Sequence, residues 1–386
     1  MRGHWQQWRA AIAASVVFLA GCGGNDNPAT TPVAVSSLAT LKTSIAVPNS
    51  NTPSFSFDIS HADNGKYYLA DRTNAAVDVV DTSSNALIAQ IKGSGASSFT
   101  GAGATTDVSG PDGLVGVPGT STLYAGDVNS VKIVDTSAQQ VTGTIAINAG
   151  GHRVDEGCYD PDDNLVMFAA PAASPPFVTF ISNQTHAIVA TLPFAGSSGL
   201  EACAYDSNTK SFLINNDGTT ANPNGELDVI PASSAVAAAP TITKTYPLGN
   251  CGPTGLVLGP NNDVLVGCDP AAPGVPLITL ILDRTNGATL ATIPFGGVDE
   301  VAYDPVTNRY FLPARDLTAS GVSASSGFTP ELGVIDAASR KLIAQPAMGD
   351  GAHSVAVDGP THQAYVPFAP GAAAFPNGGI LVYNTQ

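Results

Sequence analysis

Positive charge is what this chain has least of. Its 386 residues carry 15 Lys and Arg against 31 Asp and Glu, a formal net charge of −16 at pH 7. Nucleic-acid phosphates need positive partners, so that class of ligand is excluded. Charge of either sign is sparse, at 12% of residues, and aromatics reach only 7%. With 40 Gly and 29 Pro in their place, the composition is that of a turn-rich β surface and not of a disordered acidic tail. Five cysteines show no C-x-x-C, C-x-x-C-H or Cys/His spacing, which removes thiolate metal sites and covalent c-type haem. There is no G-x-S-x-G elbow, H-E-x-x-H, Walker loop or dinucleotide fingerprint. Ala10 to Ala20 is apolar but shorter than the roughly 20 residues a membrane span requires, and no other segment is long and apolar enough.

What the chain does have is one pattern written seven times, with a period of roughly 45–54 residues. Each copy holds short apolar runs separated by turn residues, the signature of a four-stranded propeller blade. The innermost strand, A, is read at 55–60, 113–117, 156–160, 201–206, 254–259, 300–304 and 354–358. Strand C is the most regular line, as in Val77-Asp-Val-Val-Asp81 and Val131-Lys-Ile-Val-Asp135. The seventh copy stops after its strand C at Gln386, and a strand D-like segment, Leu38 to Val47, stands at the other end. Supplying that strand from the N-terminus closes the ring and leaves no bare edge. The expected fold is therefore all-β: a seven-bladed β-propeller over residues 38–386, closed by an N-terminal strand.

Arg2 and Arg9 followed by the apolar run make an export signal over 1–21. Leu19-Ala20-Gly21-Cys22 resembles the lipobox of bacterial lipoproteins. That resemblance implies cleavage before Cys22, acylation of its thiol, and a tether over 22–37 rich in Gly, Asn, Pro, Thr and Ser. Gly23 instead of Asp after the cysteine implies the outer membrane, so membrane contact runs through the lipid anchor alone. The blade text resembles the YVTN-type β-propeller family in Tyr159-Asp160-Pro161, Tyr303-Asp304-Pro305, the strand C motif and Ala291-Thr-Ile-Pro294. This family hosts binding proteins, scaffolds and some enzymes, so the resemblance implies a fold more than a function.

Export makes disulfides plausible for the remaining cysteines. Cys251 precedes strand A of the fifth copy and Cys268 follows its strand B, ends that antiparallel pairing brings together. Cys158 and Cys203 lie on strand A of adjacent copies and face each other between blades.

Two features point to a site at the channel mouth. Strand B–C loops are long in five consecutive copies, at 170–176, 216–225, 269–276, 314–331 and 368–379, and long loops on a repeat scaffold carry function. Aligning the copies on Tyr-Asp-Pro also places Asp112, Asp155, Glu201, Asp299 and His353 at equivalent positions opening strand A, with Thr254 and Ser56 in the other two. Glu156 and Glu300 come next, and His152 lies just upstream of Asp155. Converging carboxylates either hold blades together through backbone donors or share a cation, with oxygen ligands suited to Ca²⁺ or Mg²⁺. His61, His186 and His362 fall in turns and read as surface residues.

The leading expectation is a monomeric envelope lipoprotein that binds a protein, peptide or glycan through its long-loop face. The alternative is a divalent-cation-dependent enzyme acting on a small-molecule substrate, similar to gluconolactonase-like propellers and streptogramin lyases. Asp112, Asp155, Glu201 and Asp299 would then hold the metal, with Glu156, Glu300, His152 and His353 moving protons in a lactone opening or lyase step.

Overall fold

A computed structural model describes residues 38–371 and 373–386. The leader, Cys22 and the tether lie outside the described residues. Seven four-stranded antiparallel sheets form the ring. Blade 3 is representative, with strands A to D at Gly157–Asp160, Leu165–Ala170, Phe177–Ser182 and Ile188–Pro193.

Strand B shows why these residues make blades. All six side chains of Leu165–Ala170 are buried, because both faces of the strand meet another blade and side chains alternate between them. Val166, Phe168 and Ala170 pack with Val115 and Tyr124 of blade 2. Leu165, Met167 and Ala169 pack with Phe212 and Ile214 of blade 4. The same division recurs around the ring, with one apolar cluster at each of the seven junctions. Each buried Phe or Leu contributes roughly 1.5–3 kcal/mol. The core is thus distributed between blades and not within any one of them.

In the seventh sheet, Thr40–Ile45 lies antiparallel to Gly379–Asn384, followed inward by Gln363–Phe368 and Ala356–Asp358. Thr40 stands opposite Asn384 and Ile45 opposite Ile380.

Polar bonds join the blades at the end of the ring that carries the A–B and C–D turns. Arg284 of blade 5 pairs with Asp206 of blade 4 at 3.0 Å, and Arg340 of blade 6 pairs with Asp263 of blade 5 at 2.8 Å. His362 Nδ1 lies 3.0 Å from Asp304 Oδ2 of blade 6. His362 is therefore an inter-blade contact and not a free surface residue. His186 remains exposed but bonds the Tyr124 hydroxyl of blade 2 at 2.8 Å. His61 packs against Gly116 of blade 2, where an added Cβ would sit 2.2 Å from its Nε2, and burial pulls its pKa down. Asp160 and Asp304 do start turns, accepting the backbone N–H of Asp162 at 2.8 Å and of Val306 at 2.9 Å.

Both expected disulfides are present. Cys158–Cys203 ties strand A of blade 3 to strand A of blade 4, and Cys251–Cys268 closes the inner hairpin of blade 5. Replacing Cys158 and Cys203 by Ala is expected to lower the unfolding free energy by about 2–4 kcal/mol in a urea titration without reductant. Coincident midpoints for variant and parent would show that the inter-blade bond adds no stability.

Candidate axial site

In blades 1 to 3 the opening residue of strand A is delivered to the ring axis by the same backbone bond. Asp112 N–H donates to Gly126 O at 3.0 Å, and Asp155 N–H to Ala169 O at 2.9 Å. In blade 1 the same bond runs from Asp58 N–H to Ala70 O at 2.9 Å. Asp58, not Ser56, is therefore the equivalent residue. The cause is the tight Asn64-Gly65 turn, both residues at positive φ (52° and 71°), which shortens the first hairpin and shifts the count by two.

These residues open into a cavity of about 710 Å³. Of the expected set, Asp155, Glu156, Glu201, Asp299, Glu300 and His353 share its wall, and Thr254 and Ser56 join them. Asp112 is fully buried behind the wall, and His152 is not part of the lining. His353 stacks on Phe57 with ring centroids 4.7 Å apart, its Nδ1 lying 2.7 Å from the carbonyl of Gly351.

A second tier of charged residues was not anticipated. The residue that follows strand B also reaches the cavity: Arg72 in blade 1, Asp217 in blade 4, Asp269 in blade 5 and Arg315 in blade 6. Overlaying the seven strand B ends in the sequence would have revealed this tier. Above it, the long loops of blades 5 and 6 are zipped together. Gly274 N–H donates to Ser323 O at 2.8 Å, and Ser323 N–H to Val275 O at 2.8 Å. The 92–113 connection between blades 1 and 2, a segment not singled out from the sequence, adds Thr106 to the wall.

Three arginines neutralise part of the acidic crowd. Arg72 Nε donates to Asp112 Oδ1 at 2.8 Å and its Nη2 reaches Asp58. Arg153 lies 2.9 Å from Asp155, and Arg315 lies 2.6 Å from Asp299. Burial pushes Asp58 up, but Arg72, the His353 hydrogen bond and Arg153 outweigh it and hold Asp58 below the usual carboxylate range. Elsewhere burial wins. It raises Asp155 to about 7 against the pull of Arg153, and Glu300 to about 8 against the hydrogen bond from Glu156, with Asp299 adding to the rise. Burial and then the facing Glu300 carboxyl raise Glu156 well above the carboxylate range, and burial with Asp217 and Asp299 does the same to Glu201.

A divalent cation fits this arrangement poorly. Among the described residues the close trio of candidate ligands is Asp58, Asp112 and Asp155, with ligand atoms within 4.8 Å of one another. Arg72 already bridges the first two and Arg153 holds the third, so guanidinium groups stand where a metal's charge would be. Glu201 and Asp299, expected beside Asp112 and Asp155 as ligands, lie outside that trio.

No protein-family model and no curated protein matches the chain. Among solved structures it is similar to hydrazine synthase of Kuenenia stuttgartiensis, 14% identical over 84% of this chain and 94% of that one, with TM-score 0.65. A chain of the mitotic checkpoint complex is 14% identical over 96% and 98%, with TM-score 0.56. The computationally designed Ika8 protein is 12% identical over 85% and 83%, with TM-score 0.53. At such identities the likeness carries the fold alone. The class is a seven-bladed β-propeller with a charged axial cavity.

The raised carboxyls have a consequence for stability. A folded state that keeps protons which the unfolded chain releases loses stability as pH rises from the ordinary carboxylate range, near 4. For Glu300 that loss continues up through about 8. Glu300→Gln removes the titration, so the variant is expected to gain on the parent by about 1–3 kcal/mol above that pH and to match it under acid conditions. Melting curves across the range test this. A constant difference between the two proteins would mean that Glu300 titrates alike in the folded and unfolded states.

Proposed function

We propose that this chain is a binding propeller that takes a small polar ligand, or the end of a peptide or glycan, into its axial cavity. The observation that carries this is the cavity itself, about 710 Å³ and walled by side chains from six blades. That volume lies in the range of small-ligand sites, and convergent polar groups on a rigid scaffold are how such sites orient a ligand. The zipped loops of blades 5 and 6 beside it suit the same reading. Metal-dependent lactone hydrolysis or lysis has less support, because arginines occupy the tightest carboxylate cluster.

In the same reading the propeller hangs from the outer membrane of a bacterial cell through acylated Cys22. The order of charged start, apolar run and Leu19-Ala20-Gly21-Cys22 supports this, and the YVTN-like blade text is at home in envelope propellers.

Two measurements test these statements. Ala271→Trp fills the cavity from its loop wall and is expected to abolish retention of ligands found on glycan and peptide arrays, with an unchanged melting temperature. Retention that survives the filled cavity would place recognition elsewhere on the surface. Cys22→Ser is expected to abolish incorporation of a labelled fatty acid and to move the protein from the membrane to the soluble fraction. A variant that stays membrane-bound overturns the anchor.

A further inference from the structure

We infer that the axial cavity recognises an organic cation, a ligand with an ammonium or guanidinium head, held by Glu156, Glu201 and Glu300. This rests on the binding reading above and names the chemistry of its ligand.

The first argument is charge balance. All three cavity arginines are taken: Arg72 by Asp58 and Asp112, Arg153 by Asp155, and Arg315 by Asp299. An anionic ligand would have to compete with the carboxylates already beside each guanidinium. In contrast, among the described residues no Lys or Arg nitrogen pairs within 4.0 Å with Glu156, Glu201, Asp217 or Glu300. Four carboxyl groups on one cavity wall have no cation at bonding distance. Burial keeps protons on the three glutamates, and an organic cation entering beside them takes the place of those protons, which leave to solvent.

The second argument is an acceptor without a donor. Asp155 is 3% exposed and stands on the cavity wall. One of its oxygens meets Arg153, but Oδ1 has no hydrogen-bond partner. Leaving a buried acceptor unsatisfied costs about 1–3 kcal/mol, more for a charged group. A ligand rich in N–H donors that displaces the wall slightly meets that need, and its positive charge gains most where water is partly excluded.

Shape separates an organic cation from a metal ion. The unpaired glutamates do not form a close trio of the kind a metal needs, whereas Asp58, Asp112 and Asp155, which do, are already bridged by arginine. Spread acceptors suit a head with several N–H groups pointing in different directions. A side pocket of about 160 Å³ adjoins the cavity past Asp217 and Ala271, with Pro223, Pro270, Ala272 and Val275 in its wall. It offers room for the methylene stem of an alkylamine or of a basic side chain.

Calorimetric titration of the full-length protein with cadaverine and agmatine, against pentanediol, cellobiose and Ca²⁺ at matched ionic strength, tests the inference. One amine is expected to bind per chain, more weakly as salt rises, while pentanediol, of the same length but uncharged, does not bind. Glu201→Gln keeps the shape and removes the charge, and is expected to weaken the amine about tenfold or more. Glu156→Gln serves as the second variant, with melting curves confirming that each is folded. If cellobiose binds as tightly as the amines and Ala271→Trp abolishes it, the cation assignment falls while the cavity reading stands. Should no probe bind at millimolar concentration, or should amine affinity ignore both Gln variants, the inference is overturned. An amine that still binds the filled Ala271→Trp protein overturns the cavity reading as well.

Discussion

Packing between blades is the interaction on which everything else in this structure depends. A single four-stranded sheet with apolar side chains on both faces has nowhere to put them except against another sheet. The alternation along Leu165–Ala170 commits one set to blade 2 and the other to blade 4. Repeated at seven junctions, this commitment closes the ring. It also brings the opening residue of every strand A to a common axis, whatever its chemistry. Acidic crowding in the centre is therefore a direct product of apolar packing further out.

What the fold does with that crowding is uneven. Toward blades 1 to 3, Arg72 and Arg153 lie among Asp58, Asp112 and Asp155, and each positive group faces more than one carboxylate. Around Glu156, Glu201 and Glu300 no Lys or Arg nitrogen comes within 4.0 Å among the described residues, although Arg153 acts on Glu201 from further off. Burial there holds protons on groups that would be ionised in water. The cavity wall is then uneven, with an ion-paired flank and a protonated one, and that asymmetry gives a ligand a preferred orientation.

Much of this was legible in the sequence, for a physical reason in each case. Blade boundaries show because turn residues and apolar runs recur at a constant period, and the disulfides follow because register places Cys158 beside Cys203 and Cys251 beside Cys268. The carboxylates of strand A were visible because the Tyr-Asp-Pro landmark follows on the same strand, four residues after Asp155 and Asp299. Asp58 was missed because that landmark fails in blade 1, where a two-residue hairpin replaces the longer turn. Arg72 and Arg315 escape an alignment anchored on strand A, because A–B turns of different length carry the strand B ends out of register, and only an overlay on those ends brings them together. The bond from His362 to Asp304 was invisible for another reason: it joins turns of two blades, 58 positions apart, that no local pattern relates.

The two ends of the ring bear on why the central glutamates are there. At the turn end, polar groups are matched across blade junctions: Arg284 with Asp206, Arg340 with Asp263, and the His362 ring with Asp304. These pairs show how this fold treats a charge whose task is to hold blades together, by giving it one partner at bonding distance. Glu156, Glu201 and Glu300 are denied that treatment although Arg153 and Arg315 are close enough to the same cavity to share its wall. A buried carboxyl without a partner weakens a protein, and apolar or amide residues at three strand A openings would relieve the strain at no cost to the junctions. Groups that the scaffold must tolerate, and does not use, belong to whatever enters the cavity.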